Sequence, residues 1–454
     1  MSYFHARLLF DGQQWLTNQH FFVDDQGIFT TCTEQQVGTQ AVKSLGVVIP
    51  GFINCHSHSF QRAMAGMGER ISRAGDRDSF WSWREQMYHL VQHLNPQTFK
   101  QVADWLYVEM LEAGYTSVGE FHYLHNQPNG KPYDDHTILA QALYQSGVET
   151  GLRVCMLPVL YKNGGINKPL EQHQLPFEMK DLEHYQRYQQ DLASYVPQGH
   201  GLGVCAHSIR GVDKQTLQDF ASLYNSQNVP IHIHIAEQPA EVDASMACYH
   251  KRPVTFLLDD IGVNHNWTLV HATHVNAQEV QAMAKAQLVV GICPLTEANL
   301  GDGIFPMMDF MAHNGRIAIG SDSHIRIDPF EELRLIEYSQ RYQSLGRACL
   351  ANQQHLSPGF NLAKACYSGG EQSLKLNVGQ LRNGFKADFI ELNDQHPAML
   401  RQQPDTLWDE LIFAAGKEVV NNVYVGGKLL VRQGRHQLRD EKLAGLKALY
   451  QSLS

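Results

Sequence analysis

The sequence predicts an α/β protein in which a (β/α)8 TIM barrel is inserted in a small β-sandwich domain formed by both termini. From about residue 47, eight short apolar runs that end in polar residues alternate with amphipathic stretches. At both ends of the chain, apolar and polar residues instead alternate as they do in β-hairpins. Eight strand–helix units within roughly 320 residues agree with the strand number and size of a TIM barrel.

The eight apolar runs are rich in Val, Ile and Leu, which is typical of strands buried on both faces of a parallel sheet. In chain order they are VVIPGFINCHSH, SVGEFHY, RVCMLPVLY, GLGVCAHS, IHIHIAE, WTLVHATH, QLVVGICP and RIAIGSDSH. The stretches between them carry apolar residues at helical spacing, for example over 97–113, 213–227 and 276–286. We therefore expect each run to form a barrel strand and the stretches between them to form outer helices.

The two ends of the chain predict one further domain. The alternating segments are ARLLFDGQQWL, HFFVDDQGIFTT, GFKADFIEL and NNVYVGGKLLVRQGRH, and the last of them contains the turn dipeptide Gly426-Gly427. We expect residues 1–46 and 376–454 to form one split β domain, with the barrel over residues 47–375.

Composition excludes several classes of protein. The 454 residues are 43% hydrophobic and 18% charged, which is typical of a globular protein, and no apolar run approaches the roughly 20 residues that span a bilayer. The net charge of −10 disfavours a nucleic-acid partner. The N-terminal segment lacks the features of a secretory signal, and the eight cysteines form no C-x-x-C pair. We expect a reduced, cytoplasmic protein without a membrane or nucleic-acid partner.

Two histidines close the first predicted barrel strand. His56 and His58 form an H-x-H motif at the end of VVIPGFINCHSH. Side chains two residues apart on a strand point to the same side, which here is the barrel interior. The motif alone is weak evidence for a metal, because buried strand histidines often bond only to the backbone.

Polar side chains also end the fifth, sixth and eighth predicted strands. His234 and Glu237 end IHIHIAE, His271 lies in LVHATH, and Asp322 lies in IGSDSH. His232 could also point inward, one layer deeper, but His234 is nearer to the C-terminal mouth, where TIM barrels form their active sites. Histidines and carboxylates gathered there are ligands for a first-row divalent metal, most often Zn²⁺, with a position left open for water.

The motifs PGFINCHSHSFQRA, HIHIAE, LVHATH and GSDSH, together with the split β domain, resemble the amidohydrolase superfamily over the whole chain. In the deaminase branch of that superfamily, the matching positions imply that the ligands of one metal are His56, His58, His234 and Asp322. The resemblance also implies that Glu237 shuttles protons and that His271, with Asp322, orients the water and the tetrahedral intermediate.

A two-metal branch of the superfamily places a lysine at the end of the fourth or a neighbouring strand. Here the third strand ends in LPVLY and the fourth in AHSIR, without a lysine in either run. Lys162 follows the third strand, in the loop, and keeps the two-metal alternative open. We expect one divalent metal per chain, with Zn²⁺ as the first candidate.

The longer motifs HSHSFQRAMAGM, FWSWRE, TSVGEFHYLH, AHSIRGV and HIHIAEQ are similar to those of the formimidoylglutamate deiminases, a family within this branch. This resemblance implies hydrolysis of N-formimino-L-glutamate to N-formyl-L-glutamate and ammonia in histidine degradation, and it fits a homodimer. The substrate contacts that it implies are Gln61, Arg84, Tyr123, His207 and Arg210.

Two arginines suit a dicarboxylate substrate, because each guanidinium offers a planar fork of donors to a carboxylate. Each arginine could instead form a surface charge or a structural ion pair, and Tyr123 and His207 could be packed polar residues. The main alternative is a deaminase of a guanine-like purine, which would use the same metal site with aromatic stacking in place of the two arginines. A hydrolase of cyclic amides and a non-catalytic metal-binding scaffold are further alternatives, and an unliganded Glu237 disfavours the scaffold.

Overall fold

A computed structural model describes residues 1–69 and 80–453 of the chain. Its strands, in chain order, are β1 (Ser2–Phe10), β2 (Trp15–Val23), β3 (Phe29–Cys32), β4 (Val42–Pro50), β5 (Phe52–Ser57), β6 (Tyr115–His122), β7 (Arg153–Leu160), β8 (Gly201–Leu202), β9 (Val204–Ser208), β10 (Ile231–Ile235), β11 (Trp267–His271), β12 (Val289–Ile292), β13 (Arg316–Ile319), β14 (Phe389–Leu392), β15 (Val420–Val425), β16 (Lys428–Arg432) and β17 (Arg435–His436). The α-helices of eight or more residues in the described part are Phe80–Val91, Pro96–Ala113, Ile138–Thr150, Leu182–Ala193, Lys214–Tyr224, Pro239–Tyr249, Ala277–Lys285, Pro329–Ser344, Pro358–Leu374 and Arg439–Leu453.

Eight parallel strands form the barrel, in the order β5-β6-β7-β9-β10-β11-β12-β13, and the two-residue strand β8 pairs with β7. A parallel bridge between Ser57 and Asp322 joins the two ends of this sheet. There the His58 N–H donates to the Asp322 carbonyl over 3.1 Å, and the Asp322 N–H donates to the His56 carbonyl over 3.0 Å. Each of these eight strands coincides with or overlaps one of the eight predicted runs, so the predicted TIM barrel is confirmed.

The first predicted run differs from the others because it contributes to two sheets. Its residues before Gly51 belong to β4, in the terminal sheet, and only Phe52–Ser57 enters the barrel. A Cβ atom on Gly51 would overlap the side chain of Thr116, at 2.7 Å from its Cβ atom. The absence of a side chain at Gly51 therefore lets the chain pass closely over the start of β6 as it leaves one sheet for the other.

The termini form one mixed sheet, in the order β17-β16-β15-β14-β4-β1-β2-β3. The sheet curls over a small core of its own, as the sandwich prediction requires. The rings of Phe21 on β2 and Phe389 on β14 meet edge to face at 5.6 Å, although two strands separate them in the sheet. Phe10 and Ile49, on the other face, belong to the core that the sheet shares with the barrel.

Local signals fix the outer helices where the sequence predicts them. The helix Pro96–Ala113 begins after Asn95, whose side chain accepts the N–H groups of Gln97 and Thr98, and ends at Gly114 with φ 99°. An Asn cap followed by proline and a left-handed glycine are ordinary start and stop signals of helices. In the part of the chain that the structure describes, no helix is both long enough and apolar enough to cross a bilayer.

Candidate active site

Three histidines from two barrel strands bring their ring nitrogens together inside the barrel mouth. His56 Nε2 lies 3.1 Å from His58 Nε2 and 3.0 Å from His234 Nε2. All three side chains are buried. This group, the histidine cluster, combines the H-x-H pair at the end of β5 with His234 on β10, as the alternation of side chains along a strand predicts.

A carboxylate and a fourth imidazole extend this cluster from the neighbouring strands. Asp322 Oδ1 lies 3.4 Å from His58 Nε2 and 3.6 Å from His56 Nε2. His271, the last residue of β11, has its Nε2 3.8 Å from Asp322 Oδ2 and 3.9 Å from Glu237 Oε1. Five residues to which the resemblance gave roles at the metal and at the reacting water therefore surround one point, and Glu237 lies beside them. The five are His56, His58, His234, His271 and Asp322.

The backbone at these strand ends adopts conformations that side chains disfavour. His271 has φ 67°, Asp322 has φ 46°, and Ala236, next to Glu237, has φ 50°. Left-handed backbone at non-glycine residues costs of order 1–3 kcal/mol each and is concentrated at functional sites. These turns direct the side chains into the mouth of the barrel. The rest of the fold must offset the free-energy cost of the left-handed backbone.

A buried carboxylate holds the H-x-H segment in place. Glu120 on β6 accepts hydrogen bonds from the Ser57 hydroxyl over 2.6 Å and from the Ser59 N–H over 2.7 Å. Burial raises the pKa of Glu120 to about 7, although these two hydrogen bonds act to lower it. Because Ser57 lies between the two histidines, this network fixes the directions of both rings.

Burial keeps the histidine cluster neutral. It lowers the pKa of His58 to about 3, and it lowers the pKa values of His56 and His234 well below the usual range, where neighbouring imidazoles add to the effect. His58 Nδ1 bonds the Phe121 carbonyl and His234 Nδ1 bonds the His207 carbonyl. A neutral imidazole with one nitrogen bonded to a carbonyl presents the lone pair of its other nitrogen, which is the form that binds metals.

The donor set fits a divalent metal ion. Ligand nitrogens at 2.0–2.1 Å from a tetrahedral zinc ion lie about 3.3 Å apart, close to the spacing within the histidine cluster. The nearby Asp322 carboxylate adds an oxygen ligand of the kind that such sites use. Burial raises the pKa of Asp322 to about 7, with His271 opposing and Glu237 adding to the shift, and a bound cation would favour its ionised form.

His271 is held differently from the cluster. Its Nδ1 lies 3.2 Å from Glu297 Oε1, and this carboxylate also accepts the Cys293 N–H over 2.9 Å. Burial disfavours a charge on His271, but the Glu297 hydrogen bond and the charges of Glu237 and Asp322 outweigh burial and raise its pKa to about 10. His271 therefore presents a proton on Nε2 toward the reaction centre.

Two residues that the sequence left open lie away from this centre. His232, 0% exposed, bonds the Ser373 carbonyl through Nε2 at 2.8 Å, whereas His234 joins the cluster. Lys162 Nζ pairs with Asp213 over 2.8 Å and does not line the active-site pocket. Neither side chain is placed to share the point that the histidine cluster surrounds.

A pocket opens above the histidine cluster, and the substrate contacts that the resemblance implied all line it: Gln61, Arg84, Tyr123, His207 and Arg210. The Gln61 amide donates to the Tyr123 hydroxyl over 2.7 Å, and its Oε1 is buried without a partner among the described residues. That oxygen is one acceptor available to a ligand.

Arg210 is more tightly engaged than a solvated surface charge. Its Nη2 donates to Glu237 Oε2 over 2.8 Å, and its Nε lies 2.9 Å from Glu241 Oε2. Both carboxylates occupy the same edge of the guanidinium. A planar guanidinium has five N–H donors, and no described residue bonds to Nη1 of Arg210, so that side can take a second, bidentate partner.

The structure adds residues to the site that the sequence reasoning missed. Glu297 orients His271 from the first turn of the helix Pro294–Leu300, beyond the end of β12, where the rule used for the strand ends does not reach. Tyr161 follows β7 directly and lines the pocket, but its aromatic character is also typical of a strand. Glu241 lies four residues after Glu237, in the first turn of the next helix, where the spacing alone carries no signal.

Comparison with known proteins agrees with this geometry. The model of the Amidohydrolase family matches residues 47–430. Formimidoylglutamate deiminase of Pseudomonas aeruginosa is 39% identical over 423 residues, which are 93% of each chain. A crystal structure of an amidohydrolase from Brucella melitensis superposes with a TM-score of 0.92 and 36% identity over the whole of both chains. An adenosine deaminase from Xanthomonas campestris, solved with bound zinc, shares the fold with a TM-score of 0.80, at 18% identity and over 99% of this chain and 98% of that one.

Proposed function

The chain belongs to the amidohydrolase family, and from this premise we propose that it hydrolyses N-formimino-L-glutamate to N-formyl-L-glutamate and ammonia, a step of histidine degradation. The observation that carries the proposal is one pocket lined by His58 and His234 of the histidine cluster, by Glu237 and by the two arginines. A metal-dependent hydrolase of C–N bonds needs the first group, and a substrate with two carboxylates needs the second.

The metal in this proposal is a single Zn²⁺ ion, held by the histidine cluster and Asp322. When bound, it supplies Lewis-acid activation and lowers the pKa of a water molecule toward about 7. The short nitrogen–nitrogen distances and the neutral imidazoles support this ligand set. The pairing of Lys162 with Asp213 supports one metal over two.

Three side chains then handle the proton and the charge. Glu237 Oε1 takes a proton from the attacking water and delivers it to the imino nitrogen as the water oxygen bonds to the formimino carbon. The proton that remains on this oxygen then passes through Glu237 to the same nitrogen, the C–N bond breaks, the formyl C=O bond forms, and the nitrogen leaves as ammonia. His271 Nε2 donates a hydrogen bond to the oxygen added at the formimino carbon, and Asp322 Oδ2 orients the water. General acid–base transfer of this kind contributes about 10²–10⁴-fold to the rate.

Substrate recognition uses the other side of the same pocket. Arg210 holds Glu237 and Glu241 on one edge and turns its Nη1 side to a substrate carboxylate. Arg84 supplies the second cation, and the free oxygen of Gln61 accepts an N–H of the amidine. Arg210 thereby links recognition of the carboxylate to the placement of the proton-transferring Glu237.

The test is to follow purified protein and N-formimino-L-glutamate by NMR while ammonia is measured. N-formyl-L-glutamate and ammonia should form in equal amounts, a chelator should stop the reaction, and added Zn²⁺ should restore it. Persistence of the full rate after metal removal, or a different product, would contradict the proposal.

The remaining proposals concern the whole chain. The hydrolase domain covers residues 47–375 and the small β domain covers residues 1–46 with 376–454, except that residues 47–50 lie in the terminal sheet as part of β4. The chain works in the cytoplasm, which its eight free cysteines support. It assembles as a homodimer, for which exposed apolar side chains such as Tyr342 and Leu345 offer contact surface. Light scattering coupled to gel filtration measures the assembly directly.

A further inference from the structure

Tyr161 lies in the wall of the active-site pocket, and nothing in the mechanism above uses it. It directly follows the barrel strand β7, is 3% exposed, and shares the pocket wall with Arg84 and Arg210. Its ring meets the His207 ring edge to face at 4.3 Å. The residue therefore belongs to the side of the pocket where the two guanidinium groups lie.

The oxygen of the Tyr161 hydroxyl accepts hydrogen bonds from two side chains. Arg84 Nη2 approaches it at 3.1 Å and Gln174 Nε2 approaches it at 3.2 Å. A guanidinium has no acceptor atom, so the Arg84 contact is a donation to tyrosine. The tyrosine proton takes no part in it.

The Gln174 contact is a donation as well. Gln174 Oε1 accepts the backbone N–H of Glu171 over 2.9 Å, which turns Nε2 toward Tyr161. Within residues 1–69 and 80–453, no acceptor lies within hydrogen-bonding distance of the Tyr161 proton. A buried donor without an acceptor is unfavourable, so this proton is available to a ligand that enters the pocket.

We propose that Tyr161 is a further substrate-binding residue that donates its hydroxyl hydrogen bond to one carboxylate of the dicarboxylate substrate. Gln174 is the matching positioning residue, because it and Arg84 fix the direction of the hydroxyl group. The inference rests on the proposed function for the identity of the substrate. The hydrogen bond itself requires only that a ligand place an anionic oxygen beside the two arginines.

Tyr161→Phe keeps the ring against His207 and removes only the donor. Hydrogen bonds to charged groups are strong enough that kcat/KM for N-formimino-L-glutamate should fall about 10- to 100-fold. Two analogues each lack one carboxylate: N-formiminoglycine lacks that of the side chain, and 4-formiminobutyrate lacks the α-carboxylate. One of the two analogues lacks the carboxylate that Tyr161 contacts. For that analogue, Tyr161→Phe should change kcat/KM by less than about twofold.

Tyr144→Phe is the matched control, because the hydroxyl of this buried tyrosine donates to the Gly201 carbonyl over 2.7 Å, outside the pocket. Tyr144→Phe should leave kcat/KM unchanged for all three compounds. An equal loss of activity on all three with Tyr161→Phe, or no loss on N-formimino-L-glutamate, would overturn the role of Tyr161.

Calorimetric binding of glutarate, a dicarboxylate without the amidine, separates this inference from the proposed function. Wild-type protein that releases no ammonia from N-formimino-L-glutamate contradicts the proposed function, whatever Tyr161 does. The Tyr161 role still predicts a glutarate Kd about tenfold higher in Tyr161→Phe. Equal affinities, or no glutarate binding by either protein, would contradict it.

Discussion

At the scale of single residues, Glu237 has the most demanding role, because it must exchange a proton while paired with Arg210. Glu237→Gln preserves the size of the side chain but cannot carry the proton. We expect kcat to fall by about 10² or more. Metal content measured by elemental analysis should stay at the wild-type level, since Glu237 is not among the proposed ligands. Loss of the metal, or an unchanged kcat, would show that the role is wrongly assigned.

The residue scale also shows what the sequence could and could not predict. Residues such as His56 and His271 were predictable because each ends an apolar strand, and parallel strands present their ends at one mouth. The engagement of Arg210 by two carboxylates was not predictable, because Glu241 lies on the following helix and only the turn after β10 brings it near. Tyr161 was missed because a tyrosine at the end of a strand is as typical of packing as of binding.

At the scale of elements, strand β10 presents two histidines to the barrel interior and uses them differently. His234→Ala should lose most of the bound metal, because it removes one ring nitrogen of the histidine cluster. His232→Ala should retain the metal, because the His232 ring bonds the Ser373 carbonyl deeper in the barrel. Elemental analysis of both proteins, purified in parallel, provides the comparison. Loss of the metal in His232→Ala and its retention in His234→Ala would show that His232, and not His234, is the metal ligand.

Gly51 separates the two sheets, and its role is testable through stability. Gly51→Ala would place a methyl group within overlapping distance of the Thr116 side chain. We expect it to lower the free energy of unfolding by about 1–3 kcal/mol, the usual effect of overpacking. Gly445→Ala is the control, because this helical glycine meets only Gln101 Cγ at 3.6 Å, and alanine there should be neutral or stabilising by up to about 1 kcal/mol. Urea denaturation measures both, and equal midpoints would contradict the close approach.

The boundary at Gly51 was beyond sequence reasoning for a related reason. The run before it and the run after it are both apolar, because β4 and β5 are each buried. Periodicity identifies a buried strand but carries no information on which of two sheets it joins. The pairing partners distinguish the two strands, because β4 pairs with β1 and β14 whereas β5 pairs with β6.

At the scale of the whole molecule, a buried ion pair ties the barrel to the terminal sheet. Arg153 begins β7, and its Nε and Nη2 contact Asp388, just before β14, over 2.6 and 3.0 Å. Asp388→Ala leaves a buried guanidinium unpaired and should cost about 3–5 kcal/mol in unfolding free energy. Glu183→Ala, which removes an exposed pair with Arg187, should cost less than about 1 kcal/mol. Similar losses in urea denaturation would show that the interdomain pair contributes no more than a surface pair.

The central claim is that one pocket couples a metal-dependent attack on an amidine carbon to recognition of two carboxylates. Its most direct test is a side-by-side measurement of ammonia release from N-formimino-L-glutamate, N-formiminoglycine and guanine, with wild-type protein and with Arg210→Lys. We predict a kcat/KM at least about 10² higher for N-formimino-L-glutamate than for N-formiminoglycine, because the missing carboxylate removes charge-assisted hydrogen bonds between substrate and pocket. Guanine should be nearly inert, and Arg210→Lys should reduce the preference because an ammonium lacks the planar fork. Guanine as the best substrate, or equal rates on the two formimino compounds, would contradict the account.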